Sequence, residues 1–316
     1  MSTENTKTPI LLLSEEQNNC LYVKREDFFP FSFGGNKARK AALFFKEIDS
    51  GDYDCVVTYG SSSSNHCRVV ANMAAARGMN CYLISPEEAS EETYNSDMME
   101  LFGAEITVCP VQQVSTTIDN KLQSLKEQGK KPYFIAGGGH GNIGTQAYVD
   151  CYDEICAYEK VQGIHFDYIF HASGTGTTQA GLVCGQLIHG DDRKIIGISI
   201  ARKNPRGRDV VLASIREYLQ ERNIEIPEDI IQEKTVFLDR YTQGGYAGAS
   251  DVVSEIIDRV LIQHGIPLDP TYTGKAFAGM TDYLKTEGIT GKNILFIHTG
   301  GTPLFFDHLS KGRNTK

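Results

Sequence analysis

The first residue with chemical promise is a lysine that follows two glycines, in the segment Phe33-Gly34-Gly35-Asn36-Lys37-Ala38-Arg39-Lys40. It stands at the start of a helix, where the partial charge is already positive. That field disfavours the ammonium and favours the free amine, the form that a Schiff-base lysine requires. Taken alone, these residues read first as a solvated cluster of Lys37, Arg39 and Lys40. A second candidate is Ser173-Gly174-Thr175-Gly176-Thr177-Thr178, which follows an apolar strand and opens a helix. Its glycines let backbone N–H groups converge, and the helix dipole and the threonine hydroxyls add to them, which suits a phosphate. Gln179 stands where a dinucleotide fingerprint needs its third glycine, and no Gly-Lys-Ser/Thr closes the turn, so NAD and ATP are set aside. A plain strand-to-helix turn, or a site for another phosphorylated ligand, remains open. Third, Ser61-Ser62-Ser63-Ser64-Asn65-His66 offers donors for a carboxylate at a helix start, or a simple N-cap. Tyr246 and Tyr272 are weaker signals, each compatible with packing. The eight histidines lack His-x-x-x-His spacing, and no Gly-x-Ser-x-Gly elbow is present, so neither a metal site nor triad hydrolysis is supported.

These residues must be positioned by the elements around them. Short apolar runs over Cys55–Tyr59, Cys81–Ile84, Glu105–Cys109, Tyr133–Ala136, Tyr168–Ala172, Ile195–Ser199, Thr235–Leu238 and Ile294–His298 read as strands. They are continuous rather than alternating, as in sheets covered on both faces. Helical segments fall between them: one with Ala38, Ala41, Ala42 and Phe45 on a shared face, and others near 65–78, 114–128, 143–160, 177–189, 208–222 and 250–264. The alternation predicts an α/β fold with largely parallel sheets. In such sheets ligands bind beyond the carboxyl ends of the strands. The polar, glycine-rich junctions there are 60–66, 137–142, 173–178, 243–246 and 298–302.

A chain of 316 residues suggests about two domains of roughly 150 residues. With 41% hydrophobic and 22% charged residues it has the composition of a globular protein, not of a disordered or collagen-like one. A formal charge of −9 disfavours nucleic acid as a partner. Eight cysteines without a Cys-x-x-Cys pair, mostly in apolar runs, predict buried thiols in a reducing compartment, the cytoplasm. The apolar run Ile10 to Leu13 is too short for a signal or membrane span.

Taken in order, Gly34-Gly35-Asn36-Lys37, Ser64-Asn65-His66, Ser173 to Gly181, Asp269-Pro270-Thr271-Tyr272-Thr273-Gly274-Lys275 and His298-Thr299-Gly300-Gly301-Thr302-Pro303 resemble the pyridoxal-phosphate (PLP) enzymes of the tryptophan synthase β-like fold, fold type II. Within them the chain is similar to the branch holding D-cysteine desulfhydrase and aminocyclopropane-carboxylate deaminase. The matches run from about residue 24 to 306. The resemblance implies PLP as cofactor, joined to Lys37, with its phosphate held by Gly174, Thr175, Gly176, Thr177 and Thr178. It implies that Asn65 bonds the pyridoxal 3′-oxygen, that Ser64, Asn65 and His66 receive the substrate, and that Tyr246 and Tyr272 are the two active-site tyrosines.

Two positions separate the branches. The deaminase has Glu after the second tyrosine and Leu after the terminal His; here Thr273 and Thr299 stand there, as in the desulfhydrase. The resemblance thus makes Thr299 the partner of the pyridine nitrogen. Ser62 and Ser63, Ala247-Gly248-Ala249 and His140-Gly141-Asn142 depart from the family pattern near the expected substrate. The expected architecture is a small domain, 48–146, inserted in a larger one formed by 1–47 and 147–316, with PLP between them. The expected reaction is α,β-elimination from a small amino acid such as D-cysteine, with the freed Lys37 amine or a tyrosinate taking the Cα proton. Ring-opening deamination comes second, β-replacement third, and a non-enzymatic ligand binder is the rival of a different class. A homodimer follows from the resemblance alone.

Overall fold

The structure is a computed structural model and describes residues 6–16, 18–242 and 251–314. Its strands are β1 (Ile10–Glu16), β2 (Asn19–Lys24), β3 (Cys55–Tyr59), β4 (Asn80–Pro86), β5 (Glu105–Cys109), β6 (Pro132–Phe134), β7 (Tyr168–Ser173), β8 (Lys194–Ser199), β9 (Val236–Leu238) and β10 (Asn293–Ile297). Its helices are α1 (Gly35–Ser50), α2 (Asn65–Ala75), α3 (Tyr94–Leu101), α4 (Val114–Glu127), α5 (Asn142–Gln162), α6 (Thr177–His189), α7 (Arg206–Glu221), α8 (Glu228–Lys234), α9 (Asp251–His264), α10 (Thr273–Thr286) and α11 (Thr302–Asn314).

Two sheets result. One has the order β1-β2-β10-β7-β8-β9, the other β5-β4-β3-β6. Among the described residues every pairing is parallel except β1 with β2. The expected α/β architecture with largely parallel sheets is what forms. The continuous apolar strands serve both faces of the larger sheet, because successive side chains point to opposite sides. Ile169, Ile195, Leu295 and Ile297 pack with α5, α6 and α7 on one side. Phe170, Ile196, Ile294 and Phe296 pack with α9 and α10 on the other.

Helices α5 and α6 approach closely because α6 carries glycine where they touch. A Cβ on Gly181 would fall 2.3 Å from the Thr145 carbonyl oxygen, and one on Gly185 2.5 Å from Tyr152 Cβ. The face of Ala38, Ala41, Ala42 and Phe45 on α1 is buried as expected, against Val56, Val70 and Leu83 of the four-stranded sheet and α2. The same helix also meets α5, with Arg39 reaching Glu154 at 2.7 Å. It therefore links α5, which covers the larger sheet, to α2, which covers the smaller. The β1–β2 hairpin and helices α3, α8, α10 and α11 lie outside the segments legible as elements in the sequence. Among the described residues no helix is long and apolar enough to cross a membrane.

Candidate active site

The carboxyl ends of β3, β6, β7, β8 and β10 open on one cleft of about 410 Å³. That is the size of a small-molecule site. The junctions after β3, β6, β7 and β10 that were singled out in the sequence all border it, through Gly60, Gly137, Gly174 and Thr299 among others. The remaining junction, 243–246 with Tyr246, lies outside the described residues, as do Ala247, Gly248 and Ala249.

Lys37 borders the cleft in the first turn of α1. The turn comes this close to the β10–α11 loop because Gly35 adopts a φ of +87° there, and a Cβ would stand 2.7 Å from the Thr299 carbonyl oxygen. The Asn36 N–H donates to that same carbonyl at 3.0 Å. Nζ of Lys37 donates to the Gly138 carbonyl at 3.0 Å. Burial lowers its pKa from 10.5 to about 8, and the positive charge of Arg202 pushes the same way. The low-pKa amine expected from the helix start is thus present, but removal from water comes first among its causes. The alternative of a solvated basic cluster does not hold: Arg39 and Lys40 are buried. Arg39 pairs with Glu26 and Glu154, and Lys40 donates from Nζ to the Thr177 hydroxyl at 2.7 Å.

The glycine–threonine turn enters α6 with Gly176 as N-cap and no side chain capping it. The N–H groups of Thr177, Thr178 and Gln179 have no intrahelical acceptor by construction, and none elsewhere among the described residues. They are free for an anion. Gly174, Thr175, Gly176 and Thr178 border the cleft. The Thr177 hydroxyl accepts from Lys40 and keeps its own proton to donate, so both its O–H and its N–H remain as that residue's contribution. Asn36 Nδ2 donates to Thr178 Oγ1 at 3.1 Å, a second link from α1 to the turn.

Ser64 is the N-cap of α2, its hydroxyl accepting from the Cys67 N–H at 3.2 Å. A hydroxyl that accepts there keeps its own proton to donate, so the capping and ligand-binding readings coexist. Ser64, Asn65 and His66 all border the cleft. The His66 pKa falls well below 6.5, through burial and then the charges of Lys37 and Lys40. Thr58 donates its hydroxyl to the Ile135 carbonyl, so it accepts from His66 Nε2 at 2.9 Å. His66 is a neutral imidazole with its proton on Nε2. Ser62 departs from the family pattern for a local reason: its hydroxyl donates to the Ala89 carbonyl at 3.0 Å, pinning the loop.

Tyr272 and Thr299 border the cleft. Thr273 does not; it is fully buried, and its hydroxyl donates to Asp269 Oδ2 at 2.7 Å, closing the start of α10. Of the two branch-separating positions only Thr299 is placed for chemistry. His140 and Asn142 are not among the residues bordering the cleft, although Gly137 and Gly138 of the same loop are. Tyr59 and Arg202 also border it and carried no signal in the sequence. A strand-end tyrosine and an arginine in the basic run 202–208 look like ordinary surface residues.

An amine of lowered pKa and an uncapped helix start facing one cleft, between two parallel sheets, define an enzyme that holds a phosphorylated carbonyl cofactor. The chain belongs to the pyridoxal-phosphate dependent enzymes: the model of that family matches residues 1–300. It is 32% identical over 306 residues to the D-cysteine desulfhydrase of Salmonella paratyphi A, covering 93% of this chain and 90% of the relative. It is equally 32% identical over 309 residues to a Pyrococcus abyssi protein provisionally named 1-aminocyclopropane-1-carboxylate deaminase, covering 96% and 91%. Among solved structures, an ACC deaminase homologue superposes with a TM-score of 0.87 at 32% identity, covering 98% of this chain and 94% of that one.

Proposed function

We propose that this enzyme catalyses α,β-elimination from a small amino acid carrying a β-leaving group, with D-cysteine as the first substrate to test, giving pyruvate, ammonia and sulfide. The observation that carries the reading is the position of Lys37. Its Nζ is held by Gly138, and a Cβ on Gly138 would touch the Thr175 side chain at 2.6 Å. The amine therefore lies one backbone segment from the phosphate turn.

When bound, PLP draws electrons from the Cα of an amino acid and lets its proton leave. In the proposed assignment the N–H groups of residues 175–178 receive the phosphate, and Lys37 joins the carbonyl carbon. Once the amine of the amino acid took its place there, the freed Lys37 amine, whose pKa is lowered to about 8, would serve as the base at Cα. Ser64 and Asn65, at the positive end of α2, receive the substrate carboxylate, with His66 as a neutral neighbour. Tyr272, and Tyr246 by the resemblance, complete the substrate side. Thr299 offers the cofactor ring nitrogen only a neutral hydroxyl. A hydroxyl does not keep that nitrogen protonated as a carboxylate does, so electrons are better expelled with a β-substituent than stored in the ring. This favours elimination over ring opening.

The division into a small unit, 48–146, and a larger one, 1–47 with 147–316, is supported by the sheets. All four strands of the smaller sheet fall within 55–134, and every strand of the larger one lies outside, with α1 packed between α2 and α5. A cytoplasmic location is supported by eight cysteines that stand as thiols. A homodimer is supported by exposed Phe33, Tyr94, Leu101 and Phe306 around one surface groove.

The test is a coupled assay with D-cysteine, L-cysteine and aminocyclopropane-carboxylate as separate substrates. Pyruvate and sulfide from D-cysteine are expected. A 2-oxo acid from the cyclopropane substrate alone would overturn the assignment in favour of deamination.

A further inference from the structure

Arg68, one turn along α2 from Asn65, has only 1% of its surface exposed, yet no carboxylate among the described residues pairs with it. Nη1 donates to the Ser32 carbonyl and, at 3.0 Å, to the Ser32 hydroxyl. Nη2 reaches Asn65 Oδ1 at 3.4 Å, and Nε has no partner among the described residues. Burial alone lowers its pKa to about 10. A guanidinium without a counter-ion in the interior is costly. A fold that keeps one is obtaining something other than stability from it.

Asn95, fully buried on α3, approaches the same atom. Its Nδ2 donates to Asn65 Oδ1 at 3.1 Å and to the Ser63 carbonyl at 2.8 Å, while its own Oδ1 has no partner. Both neighbours therefore use nitrogen toward Asn65. Arginine has donors only, so the Asn65 atom facing it must be the oxygen. The Asn65 amide nitrogen is left over, with no acceptor among the described residues, on a residue that borders the cleft.

We propose that Arg68 and Asn95 are positioning residues that lock the Asn65 amide with its N–H directed into the cleft, as a donor to an anionic oxygen of the ligand held there. The buried charge of Arg68 polarises that amide and strengthens the donation. The inference rests on the reading of the cleft given above. The oxygen belongs to either the cofactor or the carboxylate of the amino acid.

Asn95→Asp and Arg68→Met test the lock from its two sides. In Asn95→Asp an acceptor faces Asn65 where a donor stood, which opposes Arg68 in orienting the amide and loosens the lock. That variant also gives up the donation to the Ser63 carbonyl, so its affinities are read well below its own thermal midpoint. Arg68→Met removes the charge without leaving a carboxylate stranded, and Arg68→Lys restores it in part. For each variant the measurements are PLP affinity of the apo-protein, the pH midpoint of the visible band, KM and the thermal midpoint. A hydrogen bond to a charged oxygen is worth about tenfold or more. We expect a loss of that size in PLP affinity, or a midpoint shift of about one pH unit, if the oxygen is the cofactor's. The loss appears in KM alone if it is the substrate's. Either result must appear in Arg68→Met with the thermal midpoint retained, and part of the loss must be recovered in Arg68→Lys. Unchanged affinity, band and KM overturn the proposal, as does a loss that appears only together with a collapse of the thermal midpoint. If the wild-type protein itself takes up no PLP, the reading of the cleft fails and this inference falls with it. Normal uptake by wild type and unaltered variants sink the inference alone.

Discussion

Nζ of Lys40 and the hydroxyl of Thr177 meet at 2.7 Å, which ties the helix bearing Lys37 to the turn that opens α6. Both side chains are buried. Burial, and then the charge of Lys37, push the Lys40 pKa well below 10.5, so its amine depends on this hydroxyl for company. Thr177→Val is isosteric and strands that amine. A loss of about 1–3 kcal/mol in urea-unfolding free energy is expected. Wild-type stability in the variant would show that the contact contributes nothing.

Uptake of PLP by the apo-protein requires the neutral Lys37 amine. With its pKa lowered to about 8 by burial and by Arg202, the uptake rate should rise with pH and level off above about 8. Arg202→Met removes a positive charge that favours deprotonation, so the midpoint should move to higher pH. A stopped-flow pH series decides it; movement to lower pH contradicts the electrostatic role of Arg202.

Glu26 lies at the centre of a buried cluster with Arg39, Lys24 and Thr8. Burial alone would raise its pKa, but Arg39 and Lys24 bring it down from 4.5 to about 2. A carboxyl with a folded pKa below its unfolded one stabilises the fold above the unfolded value and loses that contribution as pH falls toward the folded one. Stability should therefore decline between about pH 4.5 and 2. Glu26→Gln leaves two buried cations short of a partner and should cost about 3–5 kcal/mol at neutral pH. It should also flatten the acid limb of an unfolding-versus-pH curve. An acid limb as steep as in wild type would exclude Glu26 as its source.

Much of this site was legible in the sequence because strand ends announce themselves. An apolar run followed by Gly-Ser-Ser or Gly-Thr-Gly marks a turn at the carboxyl edge of a sheet, and four such turns converge on the cleft. Charged residues were harder. Lys37, Arg39 and Lys40 look alike in a row, and helix periodicity does not say which face meets Glu26, 13 positions earlier, or Thr177, 137 positions later. Arg68 was invisible for the same reason, since its burial depends on Ser32 and on Asn65 held from α3. The β1–β2 hairpin escaped because Leu11 and Leu12 on β1 are half-exposed and break the period-2 pattern.

Thr299 borders the cleft, whereas Thr273 is committed to Asp269. Thr299→Glu should therefore lower the rate of elimination from D-cysteine, by about tenfold or more if a charged partner alters the ring nitrogen's protonation. Thr273→Ala should act on stability, costing about 1–2 kcal/mol through the lost hydrogen bonds of its hydroxyl with Asp269. The two variants are compared by kcat for pyruvate release and by urea unfolding. An unchanged kcat in Thr299→Glu removes this residue from the mechanism.

The central claim is that Lys37 is the residue covalently joined to PLP. Borohydride reduction of the protein purified with its cofactor, followed by peptide mapping, addresses it without reference to any substrate. The predicted result is a single pyridoxyl-modified peptide containing Lys37, absent from Lys37→Ala together with the visible band. Modification at Lys40 or Lys275, the other lysines with lowered pKa among the described residues, or a Lys37→Ala protein that keeps its colour, would contradict the account.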